Sequence, residues 1–262
     1  MADAQFTGER LPGGGDPEFS IEMERHLAAY RFAAHRAPGR RVLDAGCGEG
    51  YGAALLAQAA ARVVGVDRVE PITTARLRHQ APNLEYRIGD MMALDAVGEL
   101  FDVVVSFQVI EHLPDPVGFL RGLGARVAPG GILIVTTPNR LMSPSENPYH
   151  LQEWTAPELL ALARPVLPAA EVQGMQASAR VLEYERARGE QIRRILRLDP
   201  LGIRNLLPGF VVRTAFATFA RLVRRRVGAG STVTAGPEDF TVSRRDLERC
   251  LDLVLLAPRA AA

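Results

Sequence analysis

Asp44, Gly46, Gly48 and Gly50 fall at alternate positions in VLDAGCGEGYG, Val42 to Gly52, directly after an apolar run. Glycine there lets the backbone take positive φ and come close to a bound group. An acid in front of the glycines would repel a pyrophosphate but would suit an ammonium group. Asp67 ends the next apolar run, 23 residues past Asp44, with Arg68 beside it. A carboxylate at that place can accept from both hydroxyls of a ribose. Asp90 ends a third run; it is placed for an adenine amino group, with Met91 beside it to pack on the ring. Further along, Glu111 and His112 are adjacent, and His150 lies in NPYHLQEW. A neutral imidazole can take a proton from a hydroxyl near pH 7. The two histidines are therefore candidates for a general base and a substrate-orienting partner.

These residues need a scaffold that brings strand ends together. RVLDAG, RVVGVD, LEYRIGD, FDVVVSFQVI and GILIVTTPN read as short buried strands rich in β-branched residues. YGAALLAQAA, PITTARLRHQ and DPVGFLRGLGARV lie between them with helical composition. Strands alternating with helices predict an α/β fold, a doubly wound and mostly parallel sheet. TAPELLALARPV predicts a helix capped by Thr155, AAEVQGMQA a sixth strand and LDLVLLAP the last one. The boundaries expected are an N-terminal arm and helix over 1–40, an α/β core over 41–176, a basic helical insertion over 177–236, and a last strand within 237–262. The insertion carries 12 arginines against four acids.

Composition narrows the function classes. The 262 residues are 47% apolar and carry a net charge of +1, so overall charge favours no polyanionic partner. All 31 basic residues are arginine, which excludes a lysine Schiff base or lysine general base. Two cysteines, Cys47 and Cys250, are too few for a disulfide framework. No secretory leader is visible, and no apolar run nears the ~18 residues that span a membrane. A cytoplasmic protein is expected. Aromatic residues interleave sparsely with the arginines, so nucleic acid is not the expected partner. The stretch 205–226, with apolar residues and a terminal arginine cluster, reads as a helical lid with a solvated arginine face; it would also suit a dimer contact, or peripheral contact with the inner face of an anionic membrane.

A dinucleotide enzyme would place its third glycine at position 51, which is Tyr51. An amino-acid end, a ribose and an adenine together describe S-adenosylmethionine. The chain resembles the class I S-adenosylmethionine-dependent methyltransferases through VLDAGCGEGYG, VVGVD, IGD, FDVVVSFQVIEHLPDP and PGGILIVTTPN, in that order. The resemblance implies a seven-stranded sheet whose last strand runs antiparallel. It implies that Asp44 and the glycine loop hold the methionine part and Asp67 the ribose. Asp90 and Met91 would frame the adenine, and Ser106 and Phe107 would line the pocket. Ubiquinone-pathway O-methyltransferases and small-RNA 3′-end ribose methyltransferases resemble the segment after the fourth strand, with Glu-x-x-Glu-His as metal ligands; here the first glutamate is Gln108, which should weaken a hard dication, so no metal is expected, with Glu111, His112 and His150 as the ligand set of the alternative. FTGERLPGG, HLAAYRFA and NPYHLQEWTAPEL resemble a bacterial subgroup associated with glycan and cell-surface sugar modification, in which Arg10 and Tyr30 would close over the site as a lid. The expected acceptor is thus a hydroxyl of a sugar, glycan or other small molecule, with a phenol or quinone as the alternative. A non-catalytic cofactor-binding partner protein is the reading from a different class. The number of subunits is left open by the sequence.

Overall fold

The structure, a computed structural model, describes residues 20–143, 149–196 and 234–261, with side chains up to residue 191 in the second stretch. Helix α1 (Ser20–Ala34) precedes a regular alternation: β1 (Arg41–Ala45), α2 (Tyr51–Ala57), β2 (Arg62–Asp67), α3 (Val69–Arg78), β3 (Leu84–Ile88) and β4 (Phe101–Phe107). Then follow α4 (Pro116–Arg126), β5 (Val127–Pro138), α5 (Ala156–Ala163), β6 (Glu171–Ala177), α6 (Ala179–Leu196), β7 (Phe240–Ser243) and β8 (Asp252–Pro258). Strands β1, β4 and β8 are buried along most of their length, as apolar runs in the middle of a two-sided sheet must be.

The sheet order is β3-β2-β1-β4-β5-β8-β6-β7. β1 pairs in parallel with both β2 and β4, while β8 runs antiparallel to β5 and β6. The parallel sheet and the antiparallel last strand match expectation. The count is eight rather than seven, because FTVS forms β7 at the edge beside β6. The chain leaves β1 toward β2 and β3, then returns to β1's other side as β4. Ligands bind open α/β sheets at such a reversal, beyond the strands' carboxyl ends. Asp44 and Val105 face each other across that β1–β4 pair.

One core cluster joins Leu43, Val64, Val104, Leu133 and Val135 of the sheet to Phe119, Leu120 and Leu123 of α4 and Leu159 of α5. Caps fix the helices that cover it. The Asp115 carboxylate accepts from the Gly118 N–H at 2.8 Å, and Pro116 takes the first turn of α4. The expected Thr155 cap is present as a reciprocal box with Glu158, whose carboxylate accepts from the Thr155 N–H at 2.8 Å.

The chain divides into two compact units. The larger comprises His26–Met142, Leu151–Gln176 and Thr241–Ala262 and holds the sheet. The smaller comprises Met1–Arg25, Ser143–His150 and Ala177–Phe240. Within it, the half-buried Arg188 of α6 pairs with Glu22 at 2.8 Å and Glu185 at 3.3 Å. Burial opposes its charge, but the two carboxylates win and hold its pKa above the usual guanidinium value. Asp239 accepts from Ser178 Oγ at 2.6 Å and from Arg180 Nε at 3.0 Å. Arg10 and the 205–226 stretch lie outside the described residues, as does most of the expected insertion. Among the described residues, no helix is long and apolar enough to cross a membrane.

Candidate active site

The loop after β1 is held by backbone and by one acid. The N–H groups of Gly46 and Cys47 both donate to the Val66 carbonyl of β2, at 2.8 and 3.1 Å. Asp67, at the end of β2, accepts the Gly48 N–H at 2.8 Å on one oxygen and the Arg68 N–H at 2.7 Å on the other. Each oxygen keeps further lone-pair capacity. Asp67 is half-buried, so those lone pairs remain available to hydroxyl donors.

The alternating glycines do different things. Gly46, Gly48 and Gly50 all take positive φ, at 86°, 55° and 87°. A Cβ on Gly46 would strike Val109, one on Gly50 would strike the Tyr86 hydroxyl, and one on Gly52 would fall inside the Tyr30 ring. Only at Gly48, of these four, does a Cβ meet nothing within 4 Å. Three glycines thus admit protein side chains, and Gly48 alone presents bare backbone to open space.

Asp44 is wholly buried. Among the described residues, the hydroxyl of Tyr30 is the side-chain donor to its carboxylate, at 3.1 and 3.3 Å from the two oxygens. Burial pushes the Asp44 carboxyl up to about 7, with Asp67 adding to the effect and the Tyr30 bond opposing it. Burial and the adjacent Asp44 raise the Tyr30 phenol well above its ordinary value, so it stays protonated and donates. Burial first, then Asp44 and Asp67, raise the Cys47 thiol and keep it neutral.

Tyr30, expected as part of a lid, packs beside Asp44. It is 1% exposed, its ring edge-on to Phe107 at 4.8 Å and to His26 at 5.3 Å, and His26 Nδ1 bonds the Tyr51 hydroxyl. His26, Tyr51 and Tyr86 are absent from the sequence-predicted site. The signal for the first was its spacing: His26 and Tyr30 lie one helical turn apart and so share a face of α1.

Asp90 lies two residues beyond β3, is exposed and accepts the Met92 N–H at 2.9 Å. Met91 packs in the core cluster, whereas Met92 is exposed. Ser106 and Phe107 end β4 and are buried; Ser106 Oγ has no hydrogen-bond partner among the described residues. Gln108 then turns the chain with φ of 57°, uncommon for a residue with a side chain. Ile110–His112 form a short 3-10 turn.

Glu111 is 1% exposed; its carboxylate accepts from Thr137 Oγ1 at 3.0 Å, and its carbonyl accepts the Leu151 N–H at 2.7 Å. His112 is half-buried, with Nε2 4.0 Å from Glu111 Oε1. Of the pair, the imidazole is the group that solvent and a substrate can reach. His150 is half-buried and belongs to the smaller unit.

A family model described as a methyltransferase domain matches residues 22–190. The chain belongs to the methyltransferase-domain family. Its order of motifs and its antiparallel β8 are those of the class I, S-adenosylmethionine-dependent members. This methyltransferase-domain chain is 44% identical over 163 residues to a Mycolicibacterium smegmatis protein named "probable S-adenosylmethionine-dependent methyltransferase", covering 60% of this chain and 62% of that protein. It is 37% identical over 128 residues to the ubiquinone biosynthesis O-methyltransferase of Methylocella silvestris, covering 46% of this chain and 50% of the relative. The chain thus spans less than two thirds of the curated relatives it matches. Among solved structures, the 4+2 cyclase SpnF aligns with a TM-score of 0.56 at 21% identity, over 91% of this chain and 81% of that one. That likeness shows the fold alone, since one fold hosts many chemistries.

The residues fit S-adenosylmethionine. A wholly buried carboxylate with a single phenol donor calls for a cation, because a buried charge is costly until it is paired. The bare backbone of Gly48 allows close approach, and Asp67 retains acceptor capacity for two hydroxyls.

Proposed function

We propose that this chain transfers a methyl group from S-adenosylmethionine to a hydroxyl oxygen of a sugar, glycan or other small molecule. The observation that carries the cofactor assignment is the buried, under-supplied Asp44 carboxylate beside the open face of Gly48. Asp44 binds the ammonium, Asp67 the ribose, and Asp90 the adenine edge. When bound, S-adenosylmethionine would supply an electrophilic methyl group on a sulfonium, with a neutral thioether as the leaving group. His112 takes the hydroxyl proton as the new bond forms, a contribution of about 10²–10⁴-fold in rate for a general base. Glu111, buried beside it, steadies the turn and the imidazole.

The similarity to a ubiquinone biosynthesis O-methyltransferase supports a second acceptor class, a phenol or quinone. One experiment separates water-soluble acceptors from lipophilic ones. Purified protein is incubated with methyl-labelled S-adenosylmethionine and bacterial extract, and the products are split between organic and aqueous phases. Label in the aqueous phase supports a free or nucleotide-linked sugar. Label in the organic phase supports a quinone, phenol or lipid-linked glycan, and gives the 205–226 stretch a membrane role to test with anionic vesicles. Binding without label in either phase supports the non-catalytic reading.

A further inference from the structure

We infer that Tyr30 is a positioning residue that fixes the Asp44 carboxylate for the amino-acid end of the cofactor, so that this site distinguishes ligands by whether they carry an ammonium group. The inference rests on the S-adenosylmethionine reading above and adds to it a residue of α1.

A phenol can orient a carboxylate without cancelling its charge. Tyr30 donates one proton, shared between the two Asp44 oxygens at 3.1 and 3.3 Å. An arginine in its place would neutralise the acid and remove its attraction for a cation. The phenol leaves the negative charge and most of the lone pairs to a ligand. The ring is placed by more than this bond. Phe107 meets it edge-on at 4.8 Å, His26 at 5.3 Å and Tyr51 at 6.1 Å. Gly52 gives up the very volume the ring occupies. A hydroxyl on a ring packed this closely has one direction to point. The fourth glycine of the run, which the cofactor does not use, thereby serves the cofactor indirectly.

The test compares two ligands in calorimetry at constant pH: S-adenosylhomocysteine, which has the amino-acid end, and 5′-methylthioadenosine, which lacks it. Tyr30→Phe keeps the ring and removes only the donor. Its affinity for S-adenosylhomocysteine falls about ten-fold, the scale of one hydrogen bond to a charged group. Its affinity for 5′-methylthioadenosine stays within about two-fold, inside the spread of a merely structural change. Equal losses for both ligands, or no loss for either, overturn the inference while leaving the cofactor reading intact. A wild-type chain that binds neither ligand overturns both.

A second comparison covers a Tyr30→Phe chain too unstable to assay. Asp44→Asn removes the charge that needs the donor, so Asp44→Asn and the double variant Asp44→Asn/Tyr30→Phe both remain foldable. On that background the loss of the hydroxyl changes S-adenosylhomocysteine affinity by less than about two-fold, because coupled residues are not additive. A full further loss of about ten-fold there overturns the inference.

Discussion

The loop after β1 and the turn after β4 leave adjacent parallel strands at the same edge of the sheet, yet they are built from different material. The β1 loop is mostly backbone: alternating left-handed glycines, N–H groups tied to Val66 and Asp67, and one buried acid. The β4 turn is mostly side chain: Gln108 turns the chain, Glu111 is buried against Thr137, and the half-buried His112 faces outward. The first arrangement suits a ligand that is always the same. The second leaves room for an acceptor that differs from one family member to the next. On the proposed function, chemistry would concentrate in the turn and affinity in the loop, a division that mutation can test.

The largest effect is expected at His112. His112→Ala lowers the turnover number by about 10²–10⁴-fold, the range for losing a general base. Cofactor affinity measured by calorimetry stays within about two-fold, because the residue belongs to the turn and not the loop. A parallel loss of affinity would erase the division between the two regions. So would full turnover, which would move the base to another residue.

Asp44→Asn reverses that pattern. Affinity for S-adenosylhomocysteine falls on the order of 100-fold, as expected when one partner of a buried charge pair is removed. Stability of the free chain moves the other way, and its sign follows from the raised pKa. The folded carboxyl titrates at about 7, against an ordinary value of 3.8. Between those values the folded state holds more protons than the unfolded one, so stability falls as pH rises. Asparagine cannot titrate. The variant and wild type therefore melt together near pH 4, and the variant melts at the higher temperature near pH 8. A gap that closes with rising pH would refute the assignment of a buried acid that awaits a cation.

How much of this was legible beforehand follows the same division. The alternation of apolar runs and the acids at 44 and 67 could be read from the chain, because they rest on local pattern or on short, regular spacing. The antiparallel direction of the last strand was implied by the family resemblance alone. The distinction among the four glycines could not be read. It depends on Val109, Tyr86 and Tyr30, which lie 63, 36 and 22 positions from the glycines they crowd. Tyr30 was expected as a lid from the resemblance to a bacterial subgroup, and an aromatic residue on an N-terminal helix gives no sign that its hydroxyl reaches Asp44. Strand β7 was missed because four residues, FTVS, are too short for a period to register. Met91 was read as an adenine contact, and nothing in the sequence signalled that it would also join the core cluster that holds Leu94.

Glu111 extends the comparison to stability. Its carboxylate is buried, and Thr137 Oγ1 donates to it at 3.0 Å. Glu111→Ala removes that bond and strands the Thr137 hydroxyl, a cost of about 1–3 kcal/mol visible in urea unfolding. Turnover falls as well, because the turn that carries His112 loosens, but the pH profile keeps its shape. A changed profile would promote Glu111 from a positioning residue to the base itself.

The smallest stability effect separates two glycines of one run. Gly52→Ala places a methyl group inside the Tyr30 ring, and the repacking costs about 1–3 kcal/mol. Gly48→Ala meets no atom within 4 Å and bears only the cost of its positive φ, about 1–2 kcal/mol. Stability alone hardly tells them apart; binding does. The methyl group of Gly52→Ala disturbs the phenol that holds Asp44, so that variant loses affinity only for ligands with an amino-acid end. The methyl group of Gly48→Ala projects into the open space beside the loop, so this variant loses S-adenosylhomocysteine and 5′-methylthioadenosine together. If Gly48→Ala binds both ligands as wild type does, the open face of the loop is not where the cofactor sits, and Asp44 must take its ammonium from the side of β4.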